Sequence, residues 1–212
     1  MKVLDTNQIK QAAWDKLGSK WTNAVITLII FTVIPMIISY PASSFENHSL
    51  NQNLWKIFDA AISSVLCIGV SAFFYDLVRN RNLDYKRLFV AFTRGWTFYL
   101  SALCVQILIP ILVLLWSLLL IVPGIMKCFS YAMANYVLLD HPDYSPLEAI
   151  RESKEIMYGH RMELFVLVLR FIPWFLLVPF TLGIALIWVA PYFLAALSEF
   201  YLQLKKLQGQ TL

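Results

Sequence analysis

Charge is scarce in this chain. Only 14% of its 212 residues are Asp, Glu, Lys or Arg, where an ordinary soluble domain carries about a quarter. Hydrophobic residues supply 59%, and the mean hydropathy is +0.66. Apolar runs take up most of the length, which excludes a separate soluble domain. Cysteine is also rare: Cys67, Cys104 and Cys128 lie inside apolar runs, with neither metal-ligand nor disulfide spacing. A free Cys in such a setting behaves as a small hydrophobe, so no redox compartment follows. Glycine-rich phosphate loops, the H-E-x-x-H zinc helix and the G-x-S-x-G nucleophile turn are all missing. The nearest approach to a metal-ligand set is Asp140-His141-x-Asp143 with His160. Carboxylates with imidazole do bind divalent metals, but a polar loop followed by a capped helix yields the same letters. The chain is therefore expected to be no enzyme, with no catalytic, cofactor-binding or metal-binding residues and no cofactor. No basic groove interleaved with aromatics is present, so the net charge of +4 does not point to nucleic acid.

What the chain has is long apolar runs. A hydrocarbon core about 30 Å thick takes about 20 apolar residues per helical crossing. Residues 25–40, 57–77, 98–122, 125–139, 164–180 and 182–202 are the candidates. They predict an all-α integral membrane protein of six transmembrane helices in three hairpins, each preceded by a cytoplasmic amphipathic helix. The whole of 1–212 then forms a single polytopic membrane domain. The charged segment ahead of residue 25 is longer than a usual signal n-region, so the first run reads as a retained helix.

The basic residues give the sidedness. Fourteen of the 17 Lys and Arg fall ahead of the first run, between the second and third, between the fourth and fifth, or after the sixth. The loop 41–54 contains none. With six crossings these basic segments share one side, and the positive-inside rule places both termini in the cytoplasm. Pro123-Gly124 decides the parity. As a turn between the third and fourth helices it gives six crossings; as a kink in one long helix it gives five and moves the C-terminus outside. Run 125–139 is only 15 residues long and holds Lys127, Ser130 and Asn135. The closing Lys205-Lys206 pair and the loop asymmetry favour six.

A pattern occurs three times: an amphipathic stretch, a glycine, a large apolar residue, then two apolar runs. The copies run from Gln8 to Trp21 with Gly18, from Asp84 to Trp96 with Gly95, and from Ser145 to Met162 with Gly159. They define pseudo-repeats over 7–80, 82–140 and 145–206. Ile9, Ala13, Leu17 and Trp21 form a helical stripe in the first copy, and Tyr85, Leu88, Phe89, Phe92 and Trp96 form one in the second. The third opens on Ser145-Pro146-Leu147-Glu148, a Ser cap with Pro at the first helical position and Glu at the third. Such helices lie in the headgroup plane with the apolar face down, and each glycine is expected to supply the bend into the crossing. The alternative is that any polar linker between membrane helices looks roughly like this.

Ionisable and polar groups inside apolar runs are costly, and are usually paired or functional. Asp59, Lys127, Asn135, Arg170 and Glu199 are the candidate intramembrane polar or ion-pair residues. Asp59 and Lys127 sit about 5 Å deep from the same face, which allows an ion pair; a snorkelling Lys127 is the alternative. Arg170 lies nine residues past Arg161, about 13 Å along a helix, and is expected to face the bundle interior or a wet cavity. Glu199 matches Arg161 better in depth than it matches Arg170.

The segment 121–165 resembles an uncharacterised bacterial integral-membrane family known as domain of unknown function 975. More distantly it is similar to the membrane domain of some glycerophosphodiester phosphodiesterases. The residues that carry the resemblance are Pro123-Gly124-Ile125, Tyr131, Leu139-Asp140 before Pro142, Glu148-Ala149-Ile150, Ser153 and Gly159-His160. Lys16-Leu17-Gly18 with Trp21 resembles the opening, and residues 193–201 the ending. His141 and Arg170 depart from the pattern. The resemblance implies a multi-pass protein of the bacterial cell (plasma) membrane, and no activity. The expected role is a non-catalytic scaffold, sensor or protective accessory protein, whose partners are the lipid bilayer and a membrane protein or a second copy of the chain. The alternative is a small-solute or lipid transporter or channel with a polar path near Arg170. The scarcity of buried charge argues against an ion-coupled pump.

Overall fold

A computed structural model describes residues 4–18, 20–40, 50–81, 84–119 and 121–209. Most of the basic-free loop, 41–49 with His48, lies outside them, as does Lys2. Among the described residues there is no strand. The chain runs α1 (Thr6–Gly18), α2 (Trp21–Ser39), α3 (Leu50–Val78), a 3₁₀ turn (Tyr85–Phe89), α4 (Val90–Thr93), α5 (Trp96–Leu119), α6 (Ile121–Tyr131), α7 (Ala134–Asp140), α8 (Pro146–Ile156), α9 (Arg161–Phe180) and α10 (Leu186–Leu207).

Five of these helices, α2, α3, α5, α9 and α10, are long and apolar enough to cross a membrane. The sixth expected span is not a single helix. The run 125–139 is divided between α6, of 11 residues, and α7, of 7. A turn at residues 132–133 separates them, and each piece falls short of the about 20 residues a crossing takes. Pro123-Gly124 is neither the turn nor a kink in one straight helix, because both residues are helical within α6. The chain reverses between the end of α5 and the start of α6, ahead of Pro123. Gly124 backs onto Ser117, whose Cα stands 2.7 Å from where a Cβ on Gly124 would sit. Residues seven apart in one continuous helix would be separated by about 10 Å. At the far end Arg94, two residues before α5, donates to the Leu139 carbonyl in α7 at 2.9 Å.

The three amphipathic segments adopt three structures. In α1 the stripe Ile9, Ala13 and Leu17 is fully buried and packs on α10 and α3, so it faces protein. The second segment is not one helix. Asp84 caps the 3₁₀ turn by accepting from Lys86 N at 2.9 Å, and α4 then lasts four residues. The physical reason is a backbone contact: Gly69 in α3 lets the main chain of Leu88 pack directly against it. Leu88 is therefore buried, whereas Tyr85, Phe89, Phe92 and Trp96 point outward. The third segment carries the expected capping box, with Ser145 N donating to Glu148 Oε2 at 2.7 Å and Glu148 N to Ser145 Oγ at 3.3 Å. Ala149, Ile150, Ile156 and Met157 turn inward, and Ser153 Oγ ties α8 to α6 through the Ser130 carbonyl at 2.9 Å. The glycines divide likewise. Gly95 and Gly159 take left-handed φ values of +99° and +86°, but Gly18 ends α1 in ordinary helical conformation.

One contiguous buried cluster joins α1, the second half of α3, α7, α8 and the ends of α9 and α10. Apolar side chains face outward elsewhere, among them Met36, Leu114, Leu118, Phe180 and Leu182. Exposed apolar surface on this scale suits hydrocarbon surroundings.

Candidate functional site

The scarce charges collect at one end of the bundle, where α3, α7 and α10 finish and α5 begins. The end of α3 shows how the backbone places them. Asn80 takes φ +55°, Asn80 N bonds to the Leu77 carbonyl at 3.2 Å and Arg81 N to the Asp76 carbonyl at 3.1 Å. This is a Schellman termination. It fixes Tyr75, Asp76, Arg79 and Arg81 around one helix end, where cations also offset the helix dipole.

Asp140, the last residue of α7, is the hub. Its Oδ1 accepts from Tyr75 Oη at 2.6 Å, and its Oδ2 from Lys205 Nζ at 2.6 Å and Tyr201 Oη at 2.9 Å. Arg79 Nη1 stands 3.6 Å from Oδ1. The side chains of Asp140 and Lys205 are only 11% and 7% exposed. Burial alone would raise the Asp140 carboxyl, but the hydrogen bonds from Lys205 and Tyr75, the Lys205 charge and the Tyr201 hydroxyl outweigh it. The group is held below the usual aspartate value. Tyr75, Tyr136 and Tyr201 pack together, with Tyr136 stacked on Tyr201 at 5.3 Å.

Asp76 is the second hub. It is buried, bonded to Arg87 Nε, and 3.9 Å from Arg81 Nη1. Arg94 lies over the Phe98 ring at 5.2 Å, and Arg79 over Tyr75 at 4.7 Å. Burial first, and the neighbouring Arg87 next, hold Arg94 below the usual arginine value.

The five polar residues singled out from the sequence lie in five separate settings. Asp59 accepts from Ser39 Oγ of α2 at 2.9 Å. Lys127 sits 4.4 Å over the Trp116 ring of α5, so it does not pair with Asp59. Asn135 is half-buried, and its Oδ1 has no hydrogen-bond partner among the described residues. Glu199 pairs with neither arginine: Lys16 Nζ of α1 holds it at 2.5 Å, and Gln203 Nε2 donates to its other oxygen at 3.1 Å. Helix α1, expected to lie on the lipid, instead brings its lysine to the protein. Arg170 is half-buried and bonded to Asn7 of α1. Its neighbour Lys10 lies over Phe171 at 5.1 Å, and burial and the Arg170 charge hold it below the usual lysine value. The Asp140, His141, Asp143 and His160 set does not converge. Asp140 is taken by Lys205, His160 Nδ1 by Glu163 at 2.7 Å, and His141 stacks on Tyr144. Among the described residues no group of three or more His, Cys, Asp or Glu is placed to hold a metal.

Tyr75, Asp76, Arg79, Tyr201 and Lys205 escaped the sequence reading as members of a site. Arg79 and Lys205 counted there only towards sidedness. Tyr201 and Lys205 are four apart on one helix face, and this pairing beside an apolar run was the available signal.

These features define a class of protein: helical, with five helices able to cross a membrane and a fastened charge cluster at one end. The family follows from the comparison with known proteins. The family model described as protein of unknown function (DUF975) matches residues 1–130 and 118–208, and the chain belongs to that family. No curated protein and no solved structure matches the chain.

Proposed function

We propose that the chain is a non-catalytic scaffold or accessory protein of the bacterial plasma membrane, crossing it six times with both termini in the cytoplasm. Helices α6 and α7 serve as the return leg of α5. Their 11 and 7 residues give about 27 Å of helix, close to one hydrocarbon thickness, with Asp140 at its boundary. The observation that carries the non-catalytic reading is the saturation of the cluster's carboxylates. Asp140 takes three hydrogen bonds and is held anionic, and Asp76 is bonded to Arg87, so neither is free to act as a general base. The transporter alternative needs Asp59, Lys127, Asn135 and Arg170 to share a path; their separate settings, and the covering of Arg170 by α1, weigh against it.

Photo-crosslinkers at the exposed Leu147 and Tyr158, beside α8, test the scaffold role in native membranes. One discrete stoichiometric adduct is expected there, with lipid adducts alone from Met36 on α2. Uncrosslinked monomer from both α8 positions overturns the proposal, as does a solute flux in reconstituted vesicles that Arg170→Ala abolishes.

A further inference from the structure

We infer that the basic end of the bundle is a binding site for a phosphate group, carried on an anionic lipid headgroup or on a small soluble phosphate. Two adjoining cavities share Arg79 and Arg81 as a common wall. The inner, about 40 Å³, is bounded by Arg87, Arg94, Asp76 and Asp140. The outer, about 350 Å³, is bounded by Lys16, Lys206, Val78 and Leu202 and has no carboxylate in its lining. That is room for a phosphorylated headgroup, and Val78 and Leu202 give it an apolar flank.

The guanidiniums at the shared wall are ion-paired at long range but not hydrogen-bonded. Among the described residues neither guanidinium, of Arg79 or of Arg81, makes a hydrogen bond: their carboxylate contacts are 3.6 and 3.9 Å long. The Arg79 side chain is nevertheless only 13% exposed, stacked on Tyr75. Lys206 is exposed and pairs with no carboxylate among the described residues. A guanidinium offers five N–H donors in a rigid fork that fits phosphate oxygens two at a time. The Arg79 fork is already held against Tyr75, so little of its side-chain entropy remains to be lost on binding.

Cations at helix ends also neutralise the helix dipole, and this ordinary role must be subtracted. Seven cations gather here: Lys16, Arg79, Arg81, Arg87, Arg94, Lys205 and Lys206. Against them stand three carboxylates (Asp76, Asp140 and Glu199) and the C-termini of α1, α3, α7 and α10. At about half a negative charge per helix C-terminus, the excess is at least about two positive charges, and the N-terminus of α5 at the same end adds to it. A phosphate monoester carries about −1.5 to −2 at neutral pH and a phosphodiester headgroup about −1, so the excess offsets either. The inference does not depend on which side of the membrane this end faces.

The test uses the purified full chain with inorganic phosphate and glycerol 3-phosphate as soluble probes. Nanodiscs of phosphatidylglycerol or phosphatidylcholine supply the lipid probes, with native mass spectrometry to read retained lipid. The variant Arg81→Ala/Lys206→Ala empties the outer cavity of two cations. Arg151→Ala/Lys154→Ala removes two charges from α8 as a control. A ligand-induced melting shift or retained phosphatidylglycerol is expected in the wild type and the control, and affinity at least tenfold weaker in R81A/K206A. Soluble phosphate binding alone assigns a soluble ligand; phosphatidylglycerol retention alone assigns a headgroup. No binding by the wild type, or equal losses in both double variants, overturns the inference. If R81A/K206A does not fold, Lys206→Ala alone carries the test, with an expected loss of several-fold; unchanged affinity then overturns it.

Discussion

Replacing Asp140 by Asn would leave Lys205 and Arg79 facing a neutral amide in a site with little water to take over. Breaking a buried pair by removing one partner costs about 3–5 kcal/mol, and residual solvent access lowers this to about 2–4 kcal/mol here. Lys205→Met should cost less than half as much, because Tyr75, Tyr201 and Arg79 continue to serve the carboxylate. Chemical unfolding in detergent measures both, and a Lys205→Met variant as unstable as Asp140→Asn refutes the hub. The pH dependence has a definite sign. Because the folded state holds Asp140 below its ordinary value of about 3.9, the unfolded chain takes up its proton more readily. The Asp140 contribution is complete above about pH 4 and is lost as the pH falls through the folded-state value. The stability gap between wild type and Asp140→Asn should be constant from about pH 7 to 5 and shrink below about pH 4; a gap that widens on acidification contradicts this.

At the level of the elements, the glycines separate true bends from apparent ones. Gly95→Ala forces an L-residue to φ +99° and should destabilise by about 1–2 kcal/mol. Gly18→Ala meets open space in helical conformation and should stabilise by up to about 1 kcal/mol. Gly69→Ala would drive a methyl into the backbone of Leu88 and should cost about 3 kcal/mol or more, more than Gly95→Ala. Thermal melts of the three variants rank them. A uniform effect would mean that the three glycines are equivalent after all. The three sites also mark what could be read from sequence. Five apolar helices and the Ser145 cap were legible because both rest on local periodicity and spacing. The second amphipathic segment was not, since its stripe at helical spacing says nothing of Gly69 some twenty residues earlier, which sets the path of Leu88. The break between α6 and α7 was hidden for the same reason: Ser153 of α8 takes the Ser130 carbonyl just ahead of it. The charged hub was illegible because Asp140 meets Tyr75 and Lys205, each 65 residues away in the chain. The Tyr201 and Lys205 spacing, and the positions of Arg79, Arg81, Arg87 and Arg94 next to apolar runs, were the local hints that charge would collect there.

For the molecule as a whole, the contacts between elements constrain how the chain can thread a bilayer. Lys16 of α1 binds Glu199 near the end of α10, and Lys20 binds Asn80 beyond α3 at 3.2 Å. Arg94 binds the Leu139 carbonyl, and Lys205 binds Asp140. Each contact joins two segments that must share a side, and together they tie the N-terminal helix, the α3–α5 connection, the end of α7 and the end of α10 to one face. The six-crossing threading proposed above is compatible with all of them. Five would put the end of α10 on the opposite side from α1 and would break the Lys16–Glu199 pair. Single cysteines at Asp143, Leu182 and Gln208, in a chain whose Cys67, Cys104 and Cys128 are replaced by Ala, separate the two threadings. With six crossings, an impermeant maleimide should label Leu182→Cys in intact cells, and Asp143→Cys and Gln208→Cys only after lysis. Five crossings invert all three results. A mixed pattern, with Asp143→Cys and Gln208→Cys on different sides, would contradict the Lys205–Asp140 bond itself, since no threading can hold both ends of a 2.6 Å contact across a membrane.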